Sequence, residues 1–300
     1  MKLFIYNFLF LFKRNRYINY KTSGTKYTYT HPDYFQELLS AISFNVNKKE
    51  LSKTFQNFLS KKAYVFGRKV DIVFNKDFFN NFQFRNNVKK PAFFNKADVK
   101  VPYEIGRLQF LQKVMLHNFL EENQNPELNF DYLDEIILSE NNKIIWNSPM
   151  DVAIRMISLI FVKNFSTKID NINEFSYFKN LDSVISKDFE FIKINYEKKG
   201  DVVGNHYFVE LASSLLFIAN YDYEDKELDL KSTIDEISKE IELQFNNELT
   251  NFEGSLHYTA LMVEALLIIY FSLKSLKKEN ELYEKIREVL IVNNYFIKLN

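Results

Sequence analysis

Apolar residues recur at helical spacing through most of this chain. Leu211, Ala212, Leu215, Leu216 and Ala219 follow the three-and-four rhythm that lines one face of an α-helix, and Ala153, Met156, Ile157 and Ile160 do the same. The second stripe comes after Ser148-Pro149-Met150-Asp151, which offers an N-cap serine, a proline at the first helical position and an acid in the first turn. A helix is therefore predicted from Pro149. Thr233-x-x-Glu236 has the form of a capping box, with Ile234, Ile237, Ile241 and Phe245 forming one apolar face after it. The run Ala260 to Leu273 is almost wholly apolar, but Glu264 interrupts it and it falls short of the roughly 20 residues that span a bilayer. A fully buried helix, not a membrane span, is expected there. Residues 1 to about 60 also read as helices, with Thr30-His31-Pro32-Asp33 a turn or helix start before Tyr34 to Ile42. Between Ala63 and Val101 the texture changes to short alternations of aromatic and β-branched residues, an irregular strand-and-loop segment. No linker and no repeat of fixed period divides the remaining two-thirds of the chain. The expected organisation is an N-terminal helical and irregular segment, 1–101, before one helical body, 102–300. The fold class is all-α.

Composition narrows the function. With 39 Lys and Arg against 39 Asp and Glu, the chain has no global positive field for a nucleic-acid backbone or an anionic membrane surface. Zero cysteines remove disulfides, thiolate metal sites and cysteine nucleophiles together. Only 6 Gly and 5 Pro in 300 residues disfavour a turn-dense sandwich or barrel. The N-terminal run Leu3 to Phe12 is too short to span a bilayer and is followed by Lys13-Arg14-Asn15-Arg16, not by the small residues of a cleavage site. A first helix is expected there, and a cytoplasmic location over export.

Of the four histidines, His206 lies four residues before Glu210 and His257 four after Glu253, so either pair could share a helix face. A simple hydrogen-bonded pair is the plainer account of each, and no metal ligand set or cofactor is expected. No HExxH, P-loop or GxGxxG is present.

Four segments, Val101 to Leu111, Trp146 to Phe161, Gly204 to Ala219 and Glu236 to Leu267, resemble in order the signatures of the heparinase II/III-like polysaccharide lyases. The resemblance spans residues 60 to 275 or so. It implies an incomplete (α/α) toroid, followed in that family by a C-terminal β-sandwich. It also implies β-elimination on an acidic, uronate-containing polysaccharide such as a glycosaminoglycan, in a bacterial protein. Removing the C5 proton beside a charged carboxylate needs a group that neutralises the carboxylate and another that protonates the departing oxygen. Asn205 matches the family's neutralising Asn, and Tyr258 its catalytic Tyr. His206 and His257 flank them as substrate-binding candidates. Glu104 and Arg107, near Tyr103, match the family's Trp-Glu-Leu-x-Arg; the Arg suits an anionic sugar, although a Glu104–Arg107 ion pair explains them equally well. Trp146 suits stacking on a sugar ring, or the core. Arg155 is read as structural.

Two departures stand beside the resemblance. Thr259 follows Tyr258 where the family commonly has His, and the sequence stops at Asn300 without a β-sandwich. The expectation is a fragment, a lyase completed by another chain, or a degenerate, non-catalytic carbohydrate-binding protein, with truncation favoured. A hydrolase is the weaker rival, because no carboxylate pair stands out.

Overall fold

A computed structural model describes residues 24–30, 32, 35, 47–72, 100–121, 132–133, 135–136, 148–169, 176–198 and 204–299. The expectations for Leu3 to Phe12, for His31 and Asp33, for most of Tyr34 to Ile42 and for Trp146 lie outside these residues. The elements in chain order are β1 (Thr28–Tyr29), α1 (Lys48–Leu59), β2 (Lys62–Val65), β3 (Arg68–Asp71), α2 (Lys100–Gly106), α3 (Gln109–Leu120), α4 (Pro149–Ser166), α5 (Ser176–Asn195), α6 (Asn205–Asn220), β4 (Tyr221–Asp222), α7 (Lys226–Gln244), α8 (Leu256–Ser275) and α9 (Glu281–Leu299). The chain divides into two compact units, Met1–Thr25 with Lys48–Phe191, and Lys26–Asn47 with Ile192–Asn300.

In the first unit α3 packs against both α1 and α4. Phe55 and Phe58 of α1 are buried, and the His117 ring stacks on Phe55 at 4.5 Å between centroids. Strands β2 and β3 form an antiparallel hairpin from Lys62↔Asp71 to Val65↔Arg68. Its two turn residues, Phe66 and Gly67, both have positive φ, the geometry that matches the strand twist. That hairpin is the described part of the expected strand-and-loop segment. Helix α4 starts where the sequence places it, Ser148 Oγ accepting the Asp151 N–H at 3.3 Å.

All of α4 except Phe161 is buried, so its polar side chains must find partners inside. Arg155 Nε donates to Asp188 Oδ2 at 2.8 Å and its Nη2 to Asp188 Oδ1, with Asp188 fully buried. Burial raises the Asp188 carboxyl above its ordinary range, and the Arg155 charge opposes that shift. Lys163 Nζ reaches Asp182 at 2.9 Å and lies over the Phe178 ring at 3.6 Å; burial lowers its pKa, against the pull of Asp182. Arg155 is thus structural, as the sequence suggests.

In the second unit α6 packs against α7 and α8, and α8 against α9. Every residue of α6 except His206 is buried. Strand β1 pairs with β4 through Thr28↔Asp222 and Tyr29↔Tyr221, and Tyr27 packs edge-on against Phe217 at 5.4 Å. Two details differ from the sequence reading. Thr233 is a mid-helix residue of α7, because Glu227 and Asp229 place acids in a first turn that begins at Lys226, upstream of the capping-box match. Helix α8 is longer than the apolar run and only partly buried, with Leu267 42% exposed. Its apolar character is nearly uniform, so periodicity does not reveal which face its neighbours cover. With a mean hydropathy of 1.6 it is long and apolar enough to cross a membrane, a test that a core helix also passes.

Candidate functional site

The heads of α6 and α8 meet a short connecting turn, and Asn205 sits there. Gly204 is extended at φ −157°, ψ 147°, and Asn205 opens α6 with only 7% of its surface exposed. Its Nδ2 donates to both carboxylate oxygens of Glu253, at 3.1 and 3.3 Å. A closed circuit of hydrogen bonds sets this geometry. Gln244, the last residue of α7, donates from Nε2 to the Gly204 carbonyl at 3.0 Å. The Gln244 carbonyl accepts the Phe252 N–H at 3.0 Å, and Asn251 Oδ1 accepts the Glu253 N–H at 3.0 Å. Gly254, at φ +61°, turns the chain before Ser255 and Leu256 begin α8. The Glu253 carboxylate meets the head of α6 through the Asn205 side chain.

His206, next along α6, is about half exposed, and its Nδ1 lies 2.8 Å from Glu197 Oε2. Such a contact fixes which ring nitrogen faces outward. Glu210 instead accepts the Glu197 backbone N–H at 2.8 Å, and is fully buried. Tyr258 lies in the first turn of α8 with 42% of its surface exposed, so its phenol is open to solvent. The His257 and Tyr258 rings tilt against each other at 5.7 Å. Further along α8 desolvation raises the Glu264 carboxyl, and the His257 charge opposes the rise.

Neither helix-spacing pair forms as the sequence suggests. His206 turns to Glu197 because Glu210, one turn on, points into the core. Glu253 cannot share a helix face with His257, since α8 begins only at Leu256 and Gly254 breaks the path. Glu253, Glu197 and Gln244 are the neighbours of Asn205, His206 and Gly204 that spacing alone does not identify. The glycine one residue after Glu253 was the signal that no helix reaches back that far.

Glu104 and Arg107 belong to the first unit and satisfy each other. Arg107 Nη1 contacts Glu104 Oε1 and its Nε donates to Asp151 Oδ1 at 2.6 Å. This is the ion-pair alternative of the sequence reading, strengthened by a second acid at the start of α4. The same unit has a cavity of about 300 Å³ lined by Lys48, Lys49, Ser52, His117 and Glu121, whose opposing charges select no single ligand class. Among the described residues no group of three or more His, Asp or Glu is arranged to hold a metal ion.

No family model matches the chain, and no curated protein matches it. Among solved structures it is similar to heparan sulfate lyase HepC from Pedobacter heparinus, at 16% identity and a TM-score of 0.55 over 96% of this chain. A mutant of that lyase gives 18% identity and a TM-score of 0.53 over 94% of this chain. The chain spans 42% of the length of either structure. The likeness shows the fold: the all-α, toroid-like class read from the sequence, of distant heparinase type.

Proposed function

We propose that the chain is a polysaccharide-lyase-like protein that cleaves an acidic, uronate-containing polysaccharide by β-elimination. The observation that supports the reading is that Asn205, at the head of α6, donates its amide to Glu253, which precedes Tyr258 at the head of α8, a helix that packs on α6. The fold likeness to a heparan sulfate lyase supports it.

In this mechanism the Tyr258 oxygen takes the C5 proton as base. The electrons of that bond form the C4–C5 double bond, and the C4–O bond breaks onto the glycosidic oxygen. Tyr258 then acts as acid and returns the proton to that oxygen. Negative charge accumulates on the uronate carboxylate as C5 is deprotonated, and the Asn205 N–H is the donor that stabilises it. His206 and His257 border the sugar. Acid–base catalysis by one group contributes about 10²–10⁴-fold. Incubation with a panel of uronate glycans therefore yields an ultraviolet-absorbing unsaturated product, and Tyr258→Phe abolishes it. A folded protein that gives no such product across the panel refutes the enzymatic reading.

A second reading, saturable glycan binding without cleavage, is favoured by one observation. Thr259, which follows Tyr258 where the resembled lyases commonly have His, is buried at 4% exposure and offers no imidazole to the site. It predicts glycan binding that is insensitive to Tyr258→Phe.

A further inference from the structure

We infer that Glu253 is an internal placeholder for the substrate carboxylate: it aims the Asn205 amide, and an incoming uronate displaces it. This rests on the role of Asn205 proposed above.

The two carboxylate oxygens of Glu253 sit 3.1 and 3.3 Å from Asn205 Nδ2, the manner in which a uronate carboxylate would be received. Asn205 is almost wholly buried at the first position of α6, and this contact decides which way its amide faces. Glu253 is placed for the task by its own backbone, whose N–H is held by Asn251 Oδ1, within the turn that Gln244 ties to both α7 and Gly204. Its charge is met softly. Among the described residues Glu253 forms no ion pair with Lys, Arg or His, and its carboxylate accepts from the Asn205 amide. A ligand that brings its own carboxylate offers the same contacts, and repulsion between the two acids drives Glu253 aside. Glu253 is therefore a positioning residue that also taxes anionic ligands.

The test uses the full chain and two probes, a glucuronate-containing tetrasaccharide and the same tetrasaccharide with its carboxyl groups reduced to alcohols. The Asn205 side-chain amide resonance is assigned by its disappearance in Asn205→Ala. Glu253→Gln is expected to shift that resonance and to tighten binding of the acidic tetrasaccharide by about threefold to tenfold, while leaving the reduced probe unchanged. The acidic probe, and not the reduced one, is expected to move the Asn205 resonance of the unsubstituted protein. If the acidic probe moves that resonance but Glu253→Gln binds it no more tightly, the placeholder role is overturned while the reading of Asn205 stands. A resonance untouched by Glu253→Gln also overturns the clamp. A resonance that neither probe moves overturns the reading of Asn205, and the inference with it.

Discussion

Replacing Arg155 by Met isolates the most consequential ion pair of the first unit. Arg155 is 7% exposed and Asp188 is fully buried, and two hydrogen bonds join them. Removing the guanidinium leaves a carboxylate without its counter-charge in a water-poor interior, a change that costs about 3–5 kcal/mol. With an unfolding entropy of roughly 2 cal/mol/K per residue, such a loss lowers the melting temperature of a protein this size by about 5–8 °C. The pH dependence comes from the direction in which Asp188 is already displaced. Burial holds its folded-state pKa above the ordinary aspartate value of 3.8, and Arg155 opposes that shift, so losing Arg155 raises it further. An acid with a raised folded pKa destabilises above that pKa, and the penalty fades as pH falls through it. The Arg155→Met deficit in denaturant unfolding is therefore large at pH 7 and smaller at pH 5. The double variant Arg155→Met with Asp188→Leu recovers most of the loss, since a well-packed apolar pair replaces a buried ion pair at little cost. A single variant within about 1 kcal/mol of the parent at pH 7, or a double variant as damaged as the single, refutes the reasoning.

Other contacts lead to further expected outcomes. Glu236 accepts from Lys198, Lys239 and the Tyr207 hydroxyl, and these hold its carboxyl down to about 2 from 4.5. A depressed folded pKa gives stability that is present above the unfolded value, so the advantage of the parent over Glu236→Gln disappears between pH 4.5 and about 2 in acid-unfolding curves. Ser148→Ala removes the cap of α4 and costs about 1 kcal/mol by chemical denaturation, with Ser148→Asp costing far less. Gly254→Ala forces a Cβ into a left-handed turn, at a cost of about 1–2 kcal/mol by chemical denaturation. Tyr258→Phe lowers unsaturated-product formation by at least about 10²-fold while leaving the melting temperature unchanged, since the phenol is exposed.

What could be read from the sequence depended on how local the physics was. The start of α4 was legible because Ser148, Pro149 and Asp151 act on backbone within one turn. The stripe on α6 was legible as helix, although not as a helix buried on nearly every side, which its neighbours α7 and α8 decide. Thr233 misled because a capping-box pattern also arises inside a longer helix. In the candidate site, Asn205 and Tyr258 were accessible only through the resemblance, since neither residue type is distinctive in a chain with 18 Tyr. The contacts that tie the site together, Asn205 to Glu253 and His206 to Glu197, join different elements. Same-helix spacing therefore pointed to Glu210 and to His257 instead.

The pairing of β1 with β4 bears on how the polypeptide leaves the ribosome. Thr28 and Tyr29 are made early, yet their partners Asp222 and Tyr221 come after nearly all of the first unit has been synthesised. At about 5–20 residues per second that interval is on the order of ten seconds or more. Nascent Tyr27 and Tyr29 therefore wait for the Phe217 and Tyr221 rings while the intervening helices are made. Chaperone shelter would matter most during that delay, and a ribosome stalled before codon 221 would hold an unfinished second unit beside a first one free to fold.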